Sequence, residues 1–420
     1  MRSDSLAGKL LSKNVLDFWK EIRVLNKNKT VLPRCVEGMS GPDCIAEHWK
    51  QHYDGLFNCI CSEQIIVTVI NSTESISVTA CEVRQAVIEL PESKSCGLDG
   101  IYTEHLKYAN FRLLPLLAIC FTSCLIHGIL PDALMSIILV PVIKDKAGRA
   151  GSTDNYRSVA LASIVFKVME KVLLSRLKDF IYSTDNQFGF KSKLSTDLCI
   201  FALKEIIRKF QRGKSSVLLS FIDASKAFDC VNTLKMFVKM QQRGVPRYIL
   251  RILVYWYANQ DMQVRWGSRF SAPFGATNGV KQGVVLSPVL FNFYMDELSQ
   301  QLNNCRTGCM IGSTLVNRLM YADDLVILSP SSVGLQELLD ICTKYGVDFM
   351  TCRTKEDKGL QFPQFELCGN VLPVTDKYKY LGHFINDELA DDDDIDRQCR
   401  RMYTQANMLV RRFSMCTNAV

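Results

Sequence analysis

Three aspartates have the spacing to do chemistry together. Asp223 ends a mostly apolar run, residues 217–222. That run has the length and composition of a buried strand, so it delivers a carboxylate at a strand end. Asp323 and Asp324 interrupt a second apolar stretch, residues 319–328. Neighbours on a regular strand point to opposite faces, so adjacent aspartates converge only in a tight turn. A short hairpin with Asp323-Asp324 at its tip meets that need, and Asp tolerates turn conformations. Carboxylates gathered between buried strands repel, and one takes up a proton unless a cation neutralises them. With Asp223 added, the set suits hard, oxygen-ligated Mg²⁺. Two such ions about 3.5–4 Å apart clamp an in-line phosphoryl displacement. An Asp-Asp pair alone is an ordinary turn dipeptide; the tetrapeptide Tyr321-Ala322-Asp323-Asp324 is rarer.

The phosphate side has its own residues. Lys144 and Arg157 follow a β-branched run and suit polyphosphate oxygens, Arg bidentately and Lys as a point charge. Gly279-Val280-Lys281-Gln282-Gly283 is a glycine-punctuated loop before an amphipathic helix over 289–302, and glycine there lets backbone approach a ligand. Such a loop is more often just a turn.

These groups need a scaffold. Residues 79–90 read as a helix with Thr79 as N-cap, Glu82 completing a capping box and Pro91 as the stop. Residues 113–126 form a mostly apolar, hence buried, helix. Residues 137–143 form a strand, with Pro141 pointing to a sheet edge. Asn155-Tyr156-Arg157 marks a helix entrance, and 159–180 a long helix. Residues 191–214 hold seven cations against two acids, and Lys204, Arg208 and Arg212 make a positive stripe at helical spacing. The bland reading, a solvated face, is favoured on that stretch alone.

The first eighty residues look like an appendage, with helical apolar patterns at 15–24 and 44–57. His48 and His52 share a helix face, but Trp-Lys-Gln between them fails the H-E-x-x-H pattern, so surface or packing histidines are expected. In 420 residues, 48% apolar and 22% charged, there is material for two or three domains with a sizeable core. The net charge of +7 is compatible with a polyanionic partner without proving one. Seventeen cysteines in so long a chain are too sparse for a disulfide scaffold and read as free thiols. There is no signal-peptide pattern, and no apolar run is long enough to span a bilayer. A soluble intracellular protein without membrane partners is expected, its nuclear or cytoplasmic location and oligomeric state open.

In order, the chain carries Phe221-Ile222-Asp223-Ala224-Ser225-Lys226-Ala227-Phe228-Asp229, then residues 279–292 with Gln282-Gly283 and Ser287-Pro288, then Tyr321-Ala322-Asp323-Asp324, then Tyr380-Leu381-Gly382. Upstream stand Gly97-Leu98-Asp99-Gly100, Asn155-Tyr156-Arg157 and Gln187-Phe188-Gly189-Phe190. From about residue 80 to 400 this strongly resembles the reverse transcriptase domain of non-LTR (LINE-type) retrotransposons. The resemblance implies an α+β, right-hand polymerase fold with fingers, a palm whose antiparallel sheet is flanked by helices, and a partial thumb. It implies an N-terminal helical extension at 1–80, fingers with the start of the palm at 81–215, palm at 216–385 and a truncated thumb start at 386–420. Asp223, Asp323 and Asp324 match the catalytic, metal-binding aspartates, with the Ala224 carbonyl completing one shell around two Mg²⁺ ions (Mn²⁺ the alternative). Lys144, Arg157, Phe228, Gln282 and Gly283 match nucleotide-binding positions, Phe228 as the gate against a ribose 2′-OH. Tyr380, Leu381 and Gly382 match the primer grip. Asp229 belongs to the same motif as Asp223 and Phe228 without ligating metal. The implied partners are an RNA template, a DNA primer and deoxynucleoside triphosphates.

Three departures stand out. The family's block with Asn and Lys is shortened where Tyr345–Phe349 runs into Met350-Thr351-Cys352-Arg353. The expected Lys is absent, and Arg353 or Lys355 are the available substitutes, Arg being a poor proton donor. Ser158 stands where Pro is common. Beyond residue 386 only the start of a thumb is expected, its Asp391–Asp394 run a helix N-terminus rather than a metal site, and no endonuclease or RNase H domain is expected. A catalytically decayed nucleic-acid-binding relict is the alternative, and a metal phosphohydrolase a distant third, since no histidine base accompanies the carboxylates.

Overall fold

Periodicity of burial decides which stretches become strand and which become helix, and three stretches depart from the sequence expectation. The computed structural model describes residues 32–60, 76–145, 148–224, 226–344, 350–354, 365–367, 369–372, 375, 377–386 and 389–413. Helix α1 (Pro42–Phe57) starts with proline, whose missing N–H is harmless there, and buries Ile45, Trp49, Tyr53 and Phe57. Helix α2 (Ala80–Glu89) begins at Thr79 with the expected capping box to Glu82. Helix α3 (Leu113–His127) differs from expectation. Ala118, Phe121 and Leu125 are buried, but Leu116, Ile119 and Ile126 are exposed. An all-round apolar sequence cannot show which side its neighbours cover.

Strand β1 (Ser136–Ile143) is followed by β2 (Tyr156–Ala162) and only then by helix α4 (Ile164–Leu177). Of the helix entrance expected at 155–157, Asn155 closes a short 3-10 turn (Thr153–Asn155) while Tyr156 and Arg157 are strand, as are the first residues of the expected 159–180 helix. The reason is a full-length antiparallel ladder with β1, from Ile143–Tyr156 to Ile137–Ala162. Along it Tyr156, Ser158, Ala160 and Ala162 are buried and the residues between less so, a period of two. Helix α5 (Thr196–Arg212) is capped by the Ser195 hydroxyl, which accepts from the Leu198 N–H. The positive stripe is not a continuous solvated face: Lys204 is buried, and Arg208 pairs with Glu205.

The next elements are β3 (Leu218–Ala224), α6 (Thr233–Gln242), α7 (Arg247–Ala258), β4 (Asp261–Trp266), β5 (Arg269–Phe270) and α8 (Ser287–Asn304). Then come β6 (Arg318–Tyr321), β7 (Asp324–Ser329), α9 (Ser332–Lys344) and β8 (Met350–Thr354). The strands form two four-stranded sheets. One has the order β2-β1-β4-β5, with β1 and β4 parallel and the other neighbours antiparallel. Strand β1 is interior, but β4 pairs with it only over Ser136–Leu139, so Pro141 sits where that side of the ladder is open. The other sheet has the order β6-β7-β3-β8 and is wholly antiparallel. Helix α9 packs on β7 and β3, and α5 on β6. The architecture is α+β.

Residues Arg34–Thr375 make one compact unit. The described residues from 377 onward belong to a second, with strands β9 (Lys377–Tyr380) and β10 (His383–Asn386) and helix α10 (Asp392–Phe413). Asp392, Asp393 and Asp394 occupy the first turn of α10, as the helix dipole favours. The cysteines whose side chains are described are free thiols. Among the described residues no helix is long and apolar enough to cross a membrane.

Candidate active site

The turn between β6 and β7 consists of Ala322 and Asp323, with Tyr321 paired to Asp324. The tip is thus one residue earlier than the sequence reading placed it: Asp323 lies in the turn, and Asp324 is the first residue of β7. The β7–β3 register sets Asp324 directly opposite Asp223. Opposed positions in an antiparallel pair share a face, with Cβ atoms about 4.5–5.5 Å apart. The side chains of Asp223 and Ala224 are outside the described residues; their backbone closes β3 against Thr351 and Met350 of β8.

Ala322 holds the turn open at φ +58°, a left-handed conformation that an L-residue adopts at a cost. It is held there from outside. Gln187, buried, accepts hydrogen bonds at its side-chain oxygen from the N–H of Ala322 (2.9 Å) and of Gly189 (2.9 Å), while its amide approaches the Ala322 carbonyl (3.4 Å). Residues 186–188 run along β6, the Met320 N–H donating to Asn186 and its carbonyl accepting from Phe188. Gly189 presses so close that a Cβ there would overlap the Ala322 backbone nitrogen.

Beside this turn lies a cavity of about 170 Å³. Lys144, Arg157, Phe228, Gln282 and Asp323 line it together, so five of the sequence-nominated residues converge. It also takes in residues not assigned a role there: His52 and Tyr53 of α1, Ser158, Lys226 and Asp229. Lys226 and Asp229 stand inside the quoted motif, a signal that was present. His52 offered only a helix face shared with His48, which reads as packing.

The cations feel one another. Burial and then the charges of Arg157 and Lys226 hold the Lys144 ammonium below its ordinary pKa. Lys226 reaches only a loose ion pair with the exposed Asp154 (3.9 Å). Asp229 is buried, which raises its carboxyl to about 6 against the pull of Lys281 and the Ser158 hydroxyl (3.3 Å). Lys281 is buried too and is pushed down to about 7, its ammonium donating to the Asn278 carbonyl (2.9 Å) over the Phe57 ring. Ser158, where the family commonly has proline, thus has a partner of its own.

Phe228 is clamped. Its ring stacks on Phe291 (4.2 Å between centroids, 9° between planes) and meets Phe190 edge-on (5.9 Å). The Val280 N–H donates to its carbonyl, which ties the glycine loop to this residue. Gly283 does not line the cavity. At φ +104° it packs on β2, where a Cβ would lie 2.7 Å from the Ala160 carbonyl oxygen, and the Ala160 N–H donates to the Gln282 carbonyl (2.6 Å). The start of α8 is held by Glu170, fully buried, whose carboxylate accepts from the N–H groups of Val285 and Leu286. Burial lifts Glu170 to about 8, the two N–H bonds pulling the other way.

Tyr380 ends β9, and Leu381 and Gly382 form the turn to β10 in the second unit. Residues 345–349 and Lys355, where the shortened block falls, lie outside the described residues, as does the side chain of Arg353. Among the described residues no three His, Cys, Asp or Glu side chains form a metal cluster.

Acidic strand ends on an antiparallel sheet, next to a cavity rich in cations, define a polymerase-type domain. The chain belongs to the reverse transcriptase (RNA-dependent DNA polymerase) family, whose profile matches residues 143–385. It is 26% identical over 376 residues to the Pol polyprotein of the type-2 retrotransposable element R2DM of Drosophila melanogaster, covering 82% of this chain and 34% of that protein. It is also 26% identical over 336 residues to the RNA-directed DNA polymerase of the mobile element jockey of Drosophila funebris (74% and 36%). A probable RNA-directed DNA polymerase from transposon BS of Drosophila melanogaster matches at 25% over 350 residues (78% and 38%). The chain spans about a third of the length of these curated relatives. They agree with the non-LTR branch that the motifs indicate.

Proposed function

We propose that this chain is the RNA-directed DNA polymerase domain of a non-LTR retrotransposon, adding deoxynucleotides to a primer 3′-OH on an RNA template. The observation that carries the proposal is the register of Asp324 against Asp223 beside the cavity that holds Asp323, Phe228, Gln282 and three cations. In this reading residues 81–215 are fingers, 216–385 palm, and 386–420 the start of a thumb, with 1–80 a helical extension. Asp223, Asp323 and Asp324, with the Ala224 carbonyl, would hold the Mg²⁺ ions. The fit rests on donor chemistry: these are all oxygen donors, which hard divalent cations prefer. The chemistry such ions would supply there is acidity at the primer hydroxyl and charge neutralisation at the leaving pyrophosphate oxygen.

The protein's own groups do the rest. Lys144, Arg157 and Lys226 bind and orient the triphosphate, so that the primer oxygen forms its bond to the α-phosphorus as the bond to pyrophosphate breaks. Phe228, immobilised by Phe291, excludes a ribose 2′-OH. The Gln282 side chain positions the nucleotide, and Gly283 lets that loop lie against β2. Tyr380-Leu381-Gly382 grips the primer end. The test is extension of a DNA primer on an RNA template by the purified chain with Mg²⁺. Templated extension supports the reading. Salt-dependent RNA binding without extension at any Mg²⁺ or Mn²⁺ concentration supports the decayed relict instead.

A further inference from the structure

Helix α1 lies outside the segment that matches the family, which begins at residue 143, yet it forms part of the wall of the cavity. It is firmly seated. The Phe57 carbonyl accepts from the N–H groups of Thr277 and Asn278, the Asn278 amide donates to the Leu56 carbonyl, and the Ala272 N–H donates to Glu47. Trp49 is buried against Tyr156 and Trp266. One turn on from Trp49, His52 is half-buried on the cavity wall, its ring edge-on to Trp49 (5.6 Å) and to Tyr53 (5.4 Å). These contacts fix the imidazole plane without using its nitrogens.

The electrostatics of this wall favour an anion. Lys144, Arg157 and Lys226 line one small cavity, and the charges of Arg157 and Lys226 disfavour that of Lys144. The carboxylates that answer them are the exposed Asp154 and the buried Asp229, with Asp323 also on the cavity lining. We propose that His52 is a further phosphate-contacting residue of this pocket, donating a hydrogen bond from its imidazole to the triphosphate of the incoming nucleotide. The proposal rests on the polymerase reading of the cavity and adds to it a residue from the N-terminal helix.

The charge state follows from the surroundings. Burial and then Lys226 lower the imidazole pKa; Asp154 opposes them, and His48 (lowering) and Glu37 (raising) act in smaller measure. Without ligand the ring is therefore biased towards neutral. A bound triphosphate offsets the field of Lys226 and favours the imidazolium, so binding draws a proton from solvent. His52 then contributes most below the pKa it has in the complex, and its advantage fades as pH rises through that value.

The test uses the full chain and sodium tripolyphosphate as the probe. The chain has five histidines, so imidazole resonances are few, and the spectrum of His52→Gln assigns the one that disappears. Saturating tripolyphosphate should move the titration of that resonance in the wild-type chain to higher pH. In primer extension His52→Ala should raise the nucleotide KM about ten- to a hundredfold near pH 6, the range expected for a charge-assisted hydrogen bond, with a smaller ratio near pH 8. If Lys144→Ala abolishes tripolyphosphate binding but the His52 titration does not move, the pocket stands and the role of His52 is refuted. If tripolyphosphate still binds after both Lys144→Ala and Arg157→Ala, the pocket reading fails and takes this proposal with it.

Discussion

Tyr321-Ala322-Asp323-Asp324 and Tyr380-Leu381-Gly382-His383 each join two antiparallel strands through a two-residue turn. In the second, Leu381 and Gly382 both take positive φ (48° and 83°), the sign pattern of a type I′ turn, and a Cβ on Gly382 would meet open space. Glycine supplies much of what that turn needs locally. In the first, only the leading residue is left-handed, the type II′ pattern that glycine normally serves, and it is an alanine. Its conformation is imposed by Gln187 and Gly189, about 135 residues upstream. The turn that carries the acidic pair is held by tertiary structure, and the one that carries no charge is left to local geometry. A strained backbone conformation persists only where the surrounding structure over-determines it.

The sharpest way to break this contrast is Gly189→Ala. The added methyl displaces the Ala322 backbone, and a shift of about 1 Å at a reacting group reduces turnover about a hundredfold. Gly382→Ala, with open space around it, should lose far less in primer extension; equal losses would dissolve the distinction. Next is Gln187→Ala, which leaves the buried N–H groups of Gly189 and Ala322 without their acceptor. We expect about 1–3 kcal/mol for each stranded donor in urea denaturation. Gln187→Glu keeps the acceptor and should recover part of that loss, but not all, because it turns an acceptor towards the Ala322 carbonyl. The smallest effects come from exchanging the turn residues themselves. Ala322→Gly should stabilise and Gly382→Ala destabilise, each by up to about 1 kcal/mol, and effects of the same sign would contradict the account.

Glu170 does for the start of α8 what Gln187 does for the turn, but with a titratable group. Its folded pKa of about 8 lies above its ordinary 4.5. The folded state therefore keeps a proton that the unfolded state releases, and stability falls as pH rises from 4.5 towards 8. Glu170→Gln should flatten that slope when denaturation midpoints are compared at the two ends of the range. An unchanged slope would show that another group is responsible.

The strand 217–222 ending at Asp223, the acidic hairpin and the capped helix at Thr79 were all legible in the sequence, because each is written in a short local pattern. The one-residue shift of the hairpin tip was not, since its register is set by pairing with β3 and by Gln187. Residues 156–162 misled for the same reason: an apolar run before a helix looks helical until its partner strand 136–143 is in view. Lys204 looked like part of a solvated stripe, and only packing shows that it is buried. The packing expected of His52 holds, its ring lying against Trp49 and Tyr53, but the cavity beside it was not legible, because its other walls come from the end of β1, from β2 and from the loop after β3, more than ninety residues away in sequence.

The central claim is that carboxylates on two adjacent strands, Asp223 on β3 and Asp324 on β7, form a single metal-dependent site for nucleotide addition. Primer extension on an RNA template should therefore be compared for wild type, Asp223→Asn, Asp324→Asn and the double variant, with folding checked by circular dichroism. Each single variant should reduce extension to background, and the double variant should do no worse, as expected for residues that act as a unit. Extension at the wild-type rate by either single variant would contradict the claim.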